Sequence, residues 1–150
     1  MRVLLQRASQ ASVTIENQIH SQIGAGLVIL LGIEEADGQD DIDWLVQKIT
    51  RMRIFGDADG KMNCSLTEVG GDALVVSQFT LHASIRKGNR PSYIRAATPN
   101  HAKPLYEKFC SVMEKEIGKS VGRGVFGADM QVMLTNDGPV TIWIDSKNRE

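Results

Sequence analysis

The sequence predicts an α+β or layered α/β/β domain in which two helices cover one face of a sheet. Three observations carry that expectation. Short β-branched and apolar runs outnumber helical segments, and only two segments repeat apolar residues at helical spacing. No repeat, low-complexity stretch or linker divides the 150 residues, so one domain over 1–150 is expected.

In chain order, Val3 to Ile15 is rich in β-branched residues, Glu16-Asn17 is a turn, and Ile19 to Ile23 continues beyond it as a hairpin. Leu27 to Leu31 is a continuous apolar run between glycines, as in a strand buried on both faces. A helix follows. Asp40 or Asp41 caps it, Ile42, Leu45, Val46, Ile49 and Met52 form its apolar stripe, and Arg51 and Arg53 lie near its end. Ala73 to Val76 is a short buried strand leading into SQFTLHA. The second helix spans Asn100 to Ile117, with Pro104 in its first turn and Gly118 as its stop; Leu105, Phe109, Val112, Met113 and Ile117 face inward. Three short strands are expected to close the chain. Between Met130–Leu134 and Val140–Ile144, the cluster Asn136-Asp137-Gly138-Pro139 reads as a hairpin turn. Proline directly after the glycine makes it a stiff corner instead of the usual two-residue turn.

Composition narrows the function classes. Apolar residues make up 42%, too many for disorder, and 17 basic against 18 acidic side chains leave a net charge of -1. A protein that coats long duplexes carries far more positive charge, so any nucleic-acid contact is expected to be local. MRVLLQRASQ is no signal-peptide core, and the longest apolar run, Gly24 to Ile33, is too short to span a bilayer. Cys64 and Cys110, with no CxxC, are read as reduced thiols in a cytoplasmic protein.

Most familiar chemistry fails on spacing. In GDADGKMN the calcium-loop register would put Phe55 and Leu66 at ligand positions, so the stretch is read as a turn. His20, His82 and His101 are scattered singly, which gives no zinc set; each is read as a solvated or hydrogen-bonded surface residue. Cys110 lies on the second helix, where packing is the better reading, and no Gly-x-Ser-x-Gly elbow occurs. GRGVFG is followed by strand residues, unlike a dinucleotide loop. No side-chain nucleophile with a visible base emerges, and no metal or cofactor is expected.

Two polar stretches interrupt apolar strands: Ser77-Gln78-Phe79-Thr80, and the Gly138-Pro139 corner. Ser77 and Thr80 also suit a plain turn cap. Between the first stretch and the second helix, HASIRKGNRPSYIR gathers Arg86, Lys87, Arg90 and Arg95 with no acid. Such a run is commonly a solvated face; in a chain without net positive charge it also fits a small anion or a nucleic-acid end.

Ser77 to Ala83, SQFTLHA, and Asn136 to Thr141, NDGPVT, resemble the two signature motifs of the D-aminoacyl-tRNA deacylase family, also called D-tyrosyl-tRNA deacylase. MRVLLQRASQASV, KGNRPSY and GVFGADM resemble that family in the same order, so the resemblance covers the whole chain. It implies a layered α/β/β fold with mixed sheets and two main helices. It implies a cytoplasmic homodimer, with no membrane, that hydrolyses the ester of D-aminoacyl-tRNA and of mischarged glycyl-tRNA. The Gly138-Pro139 corner, with a cis bond, would enter the partner's pocket as a chiral wall against L-aminoacyl-tRNA. On the family pattern Ser77, Gln78, Phe79 and Thr80 are the catalytic stretch, with the Phe79 and Thr80 amides as oxyanion donors. Phe126 and Met130 line the pocket with Gly138 and Pro139, and Arg7 holds the partner's corner. Arg86, Lys87 and Arg90 would contact tRNA. The substrate's own 2′-hydroxyl would assist water, ahead of Thr80 as nucleophile. Two other readings remain: an RNA-end binding module without turnover, and an esterase acting on D-amino acid derivatives other than tRNA.

Overall fold

The computed structural model describes residues 1–149. Strand β1 (Arg2–Ile15) turns at Glu16-Asn17, with φ of 50° and 62°, into β2 (Gln18–Ile23). Then come β3 (Gly26–Gly32), α1 (Gln39–Arg51), the small hairpin β4 (Phe55–Gly56) and β5 (Met62–Cys64), and β6 (Asp72–Ser77). A 3₁₀ turn (Phe79–His82) leads to α2 (Pro99–Ile117), β7 (Gly122–Arg123) and β8 (Gln131–Asp145).

β1 is the hub. One edge pairs antiparallel with β3 along its first half and with β2 along its second; β8 runs antiparallel down the other edge. β6 lies parallel to β3, and β7 parallel to β6, with α1 and α2 as the crossovers that parallel neighbours require. Alternation then builds two cores. Leu27, Ile29, Leu31, Ala73 and Val75 face Ile42, Leu45 and Ile49 of α1 and Phe109 and Met113 of α2. Val28, Leu74 and Val76 face the other way, onto Ala8, Ala11 and Val13 of β1.

The second core exists because β1 changes register. Ala8 stands opposite Asn136 and Gln10 opposite Thr135, so Ser9 is an extra residue on β1. A one-residue bulge exchanges the two faces of a strand. Val3 and Leu5 therefore face the helices while Ala11 and Val13, of the same parity, face the second core. Helices, sheet and the far half of β1 with its neighbours make the expected layered α/β/β arrangement.

Several details differ from the sequence expectation. Gly38 caps α1, and Asp41 accepts its amide at 2.9 Å. α2 begins at Pro99, which moves Pro104 beyond the first turn, and its buried face centres on Ala102, Tyr106, Phe109, Cys110 and Met113. The expected closing strands are two: β7 and the 15-residue β8. The Asn136–Pro139 cluster is not a hairpin turn, because both flanking segments pair with β1 and not with each other. GDADGKMN is the expected turn, with Asp57 Oδ1 accepting the Asp59 and Lys61 amides at 2.9 Å. Among the described residues, no helix is long and apolar enough to cross a membrane.

Candidate active site

The SQFT stretch lies at the carboxyl end of the parallel strands, where open α/β sheets commonly bind ligands. The Gln78 amide makes the last rung to β3, donating to the Leu31 carbonyl at 2.7 Å, and the chain then tightens into the 3₁₀ turn. Phe79 is 56% exposed and meets Tyr93 edge-on at 5.1 Å between ring centroids. Ser77, Gln78 and Thr80 are half-buried. The Gln78 side-chain amide donates to the Thr80 hydroxyl. That donor is neutral and cannot take a proton from Thr80, so the hydroxyl has an orienting partner and, among the described residues, no base bonded to it.

Two residues beneath the turn carry its placement, and neither carries a local sequence signal. A Cβ on Gly32 would stand 2.9 Å from Leu81 Cβ, 3.0 Å from the Gln78 carbonyl and 3.1 Å from His82 Cδ2, so only glycine lets the turn sit down on β3. His82 is fully buried, which corrects its reading as a surface residue. Neither ring nitrogen has a partner at hydrogen-bond geometry, although the Gly32 backbone lies close enough to favour the protonated ring. Burial outweighs that influence, and with help from Arg2 and the N-terminal ammonium it holds the imidazole below its ordinary pKa.

The Gly138-Pro139 corner is a bulge out of β8. Gln6 pairs with Thr141 and Ala8 with Asn136, so residues 137–140 stand against Arg7 alone. The Gly138-Pro139 bond is cis, and φ at Gly138 is +133°. Arg7 Nε donates to the Asp137 carbonyl at 3.1 Å and pairs with Asp137 Oδ2 at 3.0 Å, while Nη1 donates to the Ile54 carbonyl at 2.5 Å. Asn136 Nδ2 bridges the Arg7 and Val140 carbonyls at 3.0 and 3.1 Å, closing the base of the bulge. Arg7 thus holds the corner of its own chain. Gly138 and Pro139 remain exposed.

Phe126 packs against the helix-side core and Met130 against the second core. The Met130 sulfur covers Gly124, where a Cβ would stand 2.7 Å away, and the Phe126 ring centroid lies 6.1 Å from that of Tyr106. Tyr106 is anchored there by donating to the Val75 and Gly124 carbonyls at 2.9 and 3.1 Å. The basic loop is pinched at its neck by Ser84 and Ser92, whose amides exchange bonds of 2.8 and 2.9 Å. Arg86, Lys87 and Arg90 are exposed, and among the described residues none forms an ion pair. Cys110 is buried, and its thiol is pushed up to about 11 chiefly by burial, which suits packing.

The turn and the corner of one chain do not meet. Gln78 is bonded at the level of Leu31 and Val3, four rows from Arg7, and β8 is three strands from β6. At ordinary strand spacings that is about 13 Å along the sheet and about 14 Å across it.

The chain matches the family described as D-Tyr-tRNA(Tyr) deacylase over residues 4–145. A protein of Flavobacterium johnsoniae named D-aminoacyl-tRNA deacylase is 63% identical over 150 residues, covering 100% of both chains. One of Chromobacterium violaceum with the same name is 60% identical, again over 100% of both. Among solved structures, one described as c-Myc DNA Unwinding Element Binding Protein superposes with a TM-score of 0.90 at 38% identity, covering 97% of this chain and 98% of that one. A probable eukaryotic D-amino acid tRNA deacylase shares the fold, with a TM-score of 0.83 at 19% identity over 95% of this chain and 97% of that one.

Proposed function

The chain belongs to the D-Tyr-tRNA(Tyr) deacylase family, and from that premise we propose that it hydrolyses the ester between a D-amino acid and the terminal ribose of tRNA. The observation that carries this reading is the full-length identity to relatives named for that activity. Working as one domain in the cytoplasm, it releases free tRNA and the D-amino acid. A water oxygen attacks the ester carbonyl and gives up a proton, and the carbonyl oxygen becomes an oxyanion. As that oxyanion collapses to the carboxyl group, the bond to the ribose oxygen breaks and the ribose oxygen takes the proton that water lost. The Phe79 and Thr80 amides stabilise the oxyanion, and Gln78, with Ser77 and nearby backbone groups, positions the shared α-amino and ester atoms. Thr80 lacks a base, which favours the substrate's 2′-hydroxyl as the group that assists water.

Chiral selection is assigned to Gly138-Pro139. The corner projects from β8 as an exposed bulge fixed by Arg7, too far from its own chain's turn to line that pocket. We therefore assign it to the pocket of a second copy, in a homodimer whose active sites lie at the subunit interface. There its backbone leaves room for the α-hydrogen of a D-substrate and obstructs the α-substituent of an L-substrate. Glycine has no such substituent, so mischarged glycyl-tRNA is also cleaved. Phe126 and Met130 line the pocket, and Arg86, Lys87 and Arg90 take tRNA phosphates.

Incubation with D- and L-aminoacyl-tRNA under single-turnover conditions tests the reading. Loss of the D ester with the L ester nearly untouched is expected. Efficient cleavage of the L ester refutes the chiral wall; binding without cleavage favours an RNA-end module. Cleavage of free D-amino acid esters in preference to tRNA favours the esterase.

A further inference from the structure

We propose that Arg2 is a positioning residue for this hydrolysis: by donating to the Leu81 carbonyl it fixes the far end of the turn whose near end carries the Phe79 and Thr80 amides. The inference rests on the deacylase reading of that turn. A single 3₁₀ turn has little stability of its own, and its last carbonyls lack donors within it. Here the internal bonds are the Leu81 amide to the Gln78 carbonyl at 3.3 Å and the Ala83 amide to the Thr80 carbonyl at 3.0 Å. His82 contributes packing without a hydrogen bond, and Gly32 contributes close approach. Arg2 supplies a directed, charged contact.

Its guanidinium is itself well located. Nη1 donates to the Leu81 carbonyl at 3.0 Å, Nε donates to Asp145 Oδ2 at 2.9 Å, and the Trp143 ring centroid lies 5.5 Å from Cζ. The side chain is only 19% exposed, so both bonds are shielded from competing water. A planar donor held by a carboxylate along one edge and an aromatic face beneath has little freedom left, and its other edge then dictates where the Leu81 carbonyl sits. Asp145 and Trp143 belong to β8, the strand that carries the Gly138-Pro139 corner. Arg2 therefore ties the corner strand and the oxyanion turn to one rigid group.

Two variants separate this role from the ion pair. Arg2→Met and Asp145→Asn both break the pair with Asp145, but only Arg2→Met removes the donor to Leu81. In single-turnover hydrolysis of a D-aminoacyl-tRNA, Arg2→Met is expected to lower the rate about ten- to a hundredfold, the worth of one charge-assisted hydrogen bond. Its affinity for uncharged tRNA should stay within about twofold. Asp145→Asn, which loses the charge but keeps an amide oxygen for Arg2 Nε and leaves the donor to Leu81 intact, should keep its rate within about threefold of wild type. The charged groups facing His82 are Arg2 and the N-terminal ammonium, which oppose its protonation, and Glu34, which favours it. Removing Arg2 should therefore raise the His82 pKa, but loosening that exposes the ring would do the same, so the readout that separates the two is the split between single-turnover rate and tRNA affinity. Arg2→Lys, which keeps the cation, tests the same contact should Arg2→Met fold poorly; one ammonium cannot reproduce both edges, so about a three- to tenfold loss is expected. Equal losses in Arg2→Met and Asp145→Asn, a loss confined to tRNA affinity, or a wild-type rate in Arg2→Lys would each overturn the inference. A wild-type protein inactive on D-aminoacyl-tRNA would instead remove the deacylase reading, and this inference with it.

Discussion

Replacing Gly138 by alanine tests the corner most directly, because the structure sets the size of the insult. At φ +133° an L side chain is strained, and the new Cβ would stand 2.8 Å from both Val140 Cγ2 and the Val140 amide nitrogen, and 3.2 Å from Arg7 Nη2. The Val140 side chain can turn away. Its backbone nitrogen cannot, and the Arg7 group is already committed to Asp137 and Ile54. Backbone strain of this type costs about 1–3 kcal/mol and overpacking about 1–3 kcal/mol; the two overlap, so about 2–4 kcal/mol is the reasonable total. The corner is exposed and outside the register of β8, so it can relieve the strain by opening without disturbing the core. Activity, and not the melting temperature, should therefore register the change. If the native corner is needed for productive binding, 2–4 kcal/mol lowers single-turnover hydrolysis by roughly thirtyfold to a thousandfold. The loss should be alike for D-aminoacyl and glycyl esters, because the obstruction is backbone and meets every substrate. Asp137→Asn is the control: its carboxylate pair with Arg7 is 55% exposed on the Asp137 side, its carbonyl contact survives, and little change is expected. A Gly138→Ala protein with the wild-type rate would refute the assignment of the corner to the pocket.

Three other expectations are as open to measurement. Replacing Arg86, Lys87 and Arg90 together by alanine should weaken tRNA binding and reduce the slope of log affinity against log salt by up to about 2, at about 0.7 per contact to a single strand; an unchanged slope returns the loop to a solvated face. Ser77→Ala and Thr80→Ala should each stay within about tenfold of the wild-type rate, while a terminal 2′-deoxyadenosine carrying the amino acid on its 3′ oxygen should nearly abolish hydrolysis. Normal cleavage of the deoxy substrate together with an inactive Thr80→Ala would make Thr80 the nucleophile. His82 should limit acid stability. The unfolded imidazole takes its proton near the ordinary 6.5 and the buried one resists, so stability is full above that pH and falls as pH drops towards the folded value. His82→Leu should flatten the melting temperature between about pH 6.5 and 5 relative to wild type; parallel curves would assign the acid loss to other groups.

What the sequence revealed depended on how local the cause was. β3 was legible because Leu27 to Leu31 is apolar on both faces, and the β1–β2 hairpin because Glu16-Asn17 supplies the positive φ its turn needs. α2 was legible to within a residue or two because Gly118 adopts the left-handed conformation that ends it. The corner was visible as a stiff interruption but misread as a hairpin turn. Its flanking strands look alike in either case, and what decides between them is the length of β1, 14 residues that template both halves of β8. His82 was misplaced for a related reason. Nothing beside it in the chain buries it; the space comes from Gly32, 50 positions away in sequence (82 minus 32) and adjacent in the sheet. Arg2 carries no local sequence signal, because its partners, Leu81 and Asp145, are brought to it only by the pairing of β1 with β3 and β8 and of β3 with β6. The polar stretches SQFT and NDGP stand out in the sequence because they break apolar strands.

The distribution of charge around the site bears on why no nucleophile was found. At the turn the side chains are neutral: Ser77, Gln78 and Thr80, with Phe79 exposed. Arg2, beneath the turn, is held between the Leu81 carbonyl and the Asp145 carboxylate, and Arg7, beneath the corner, bonds the Asp137 and Ile54 carbonyls and the Asp137 carboxylate. On the deacylase reading this division is what the task demands. D-aminoacyl esters differ from one another in the side chain and are alike in the backbone, so a pocket that gripped side chains would proofread only a few of them. An enzyme that must accept all of them has to measure the α-carbon against something that does not move, and polypeptide backbone pinned by arginine serves better than a rotatable side chain. An ester needs less activation than an amide, which leaves positioning as the main demand on the protein. Charged residues are then most useful behind the wall that faces the substrate, holding its carbonyls and amides in place.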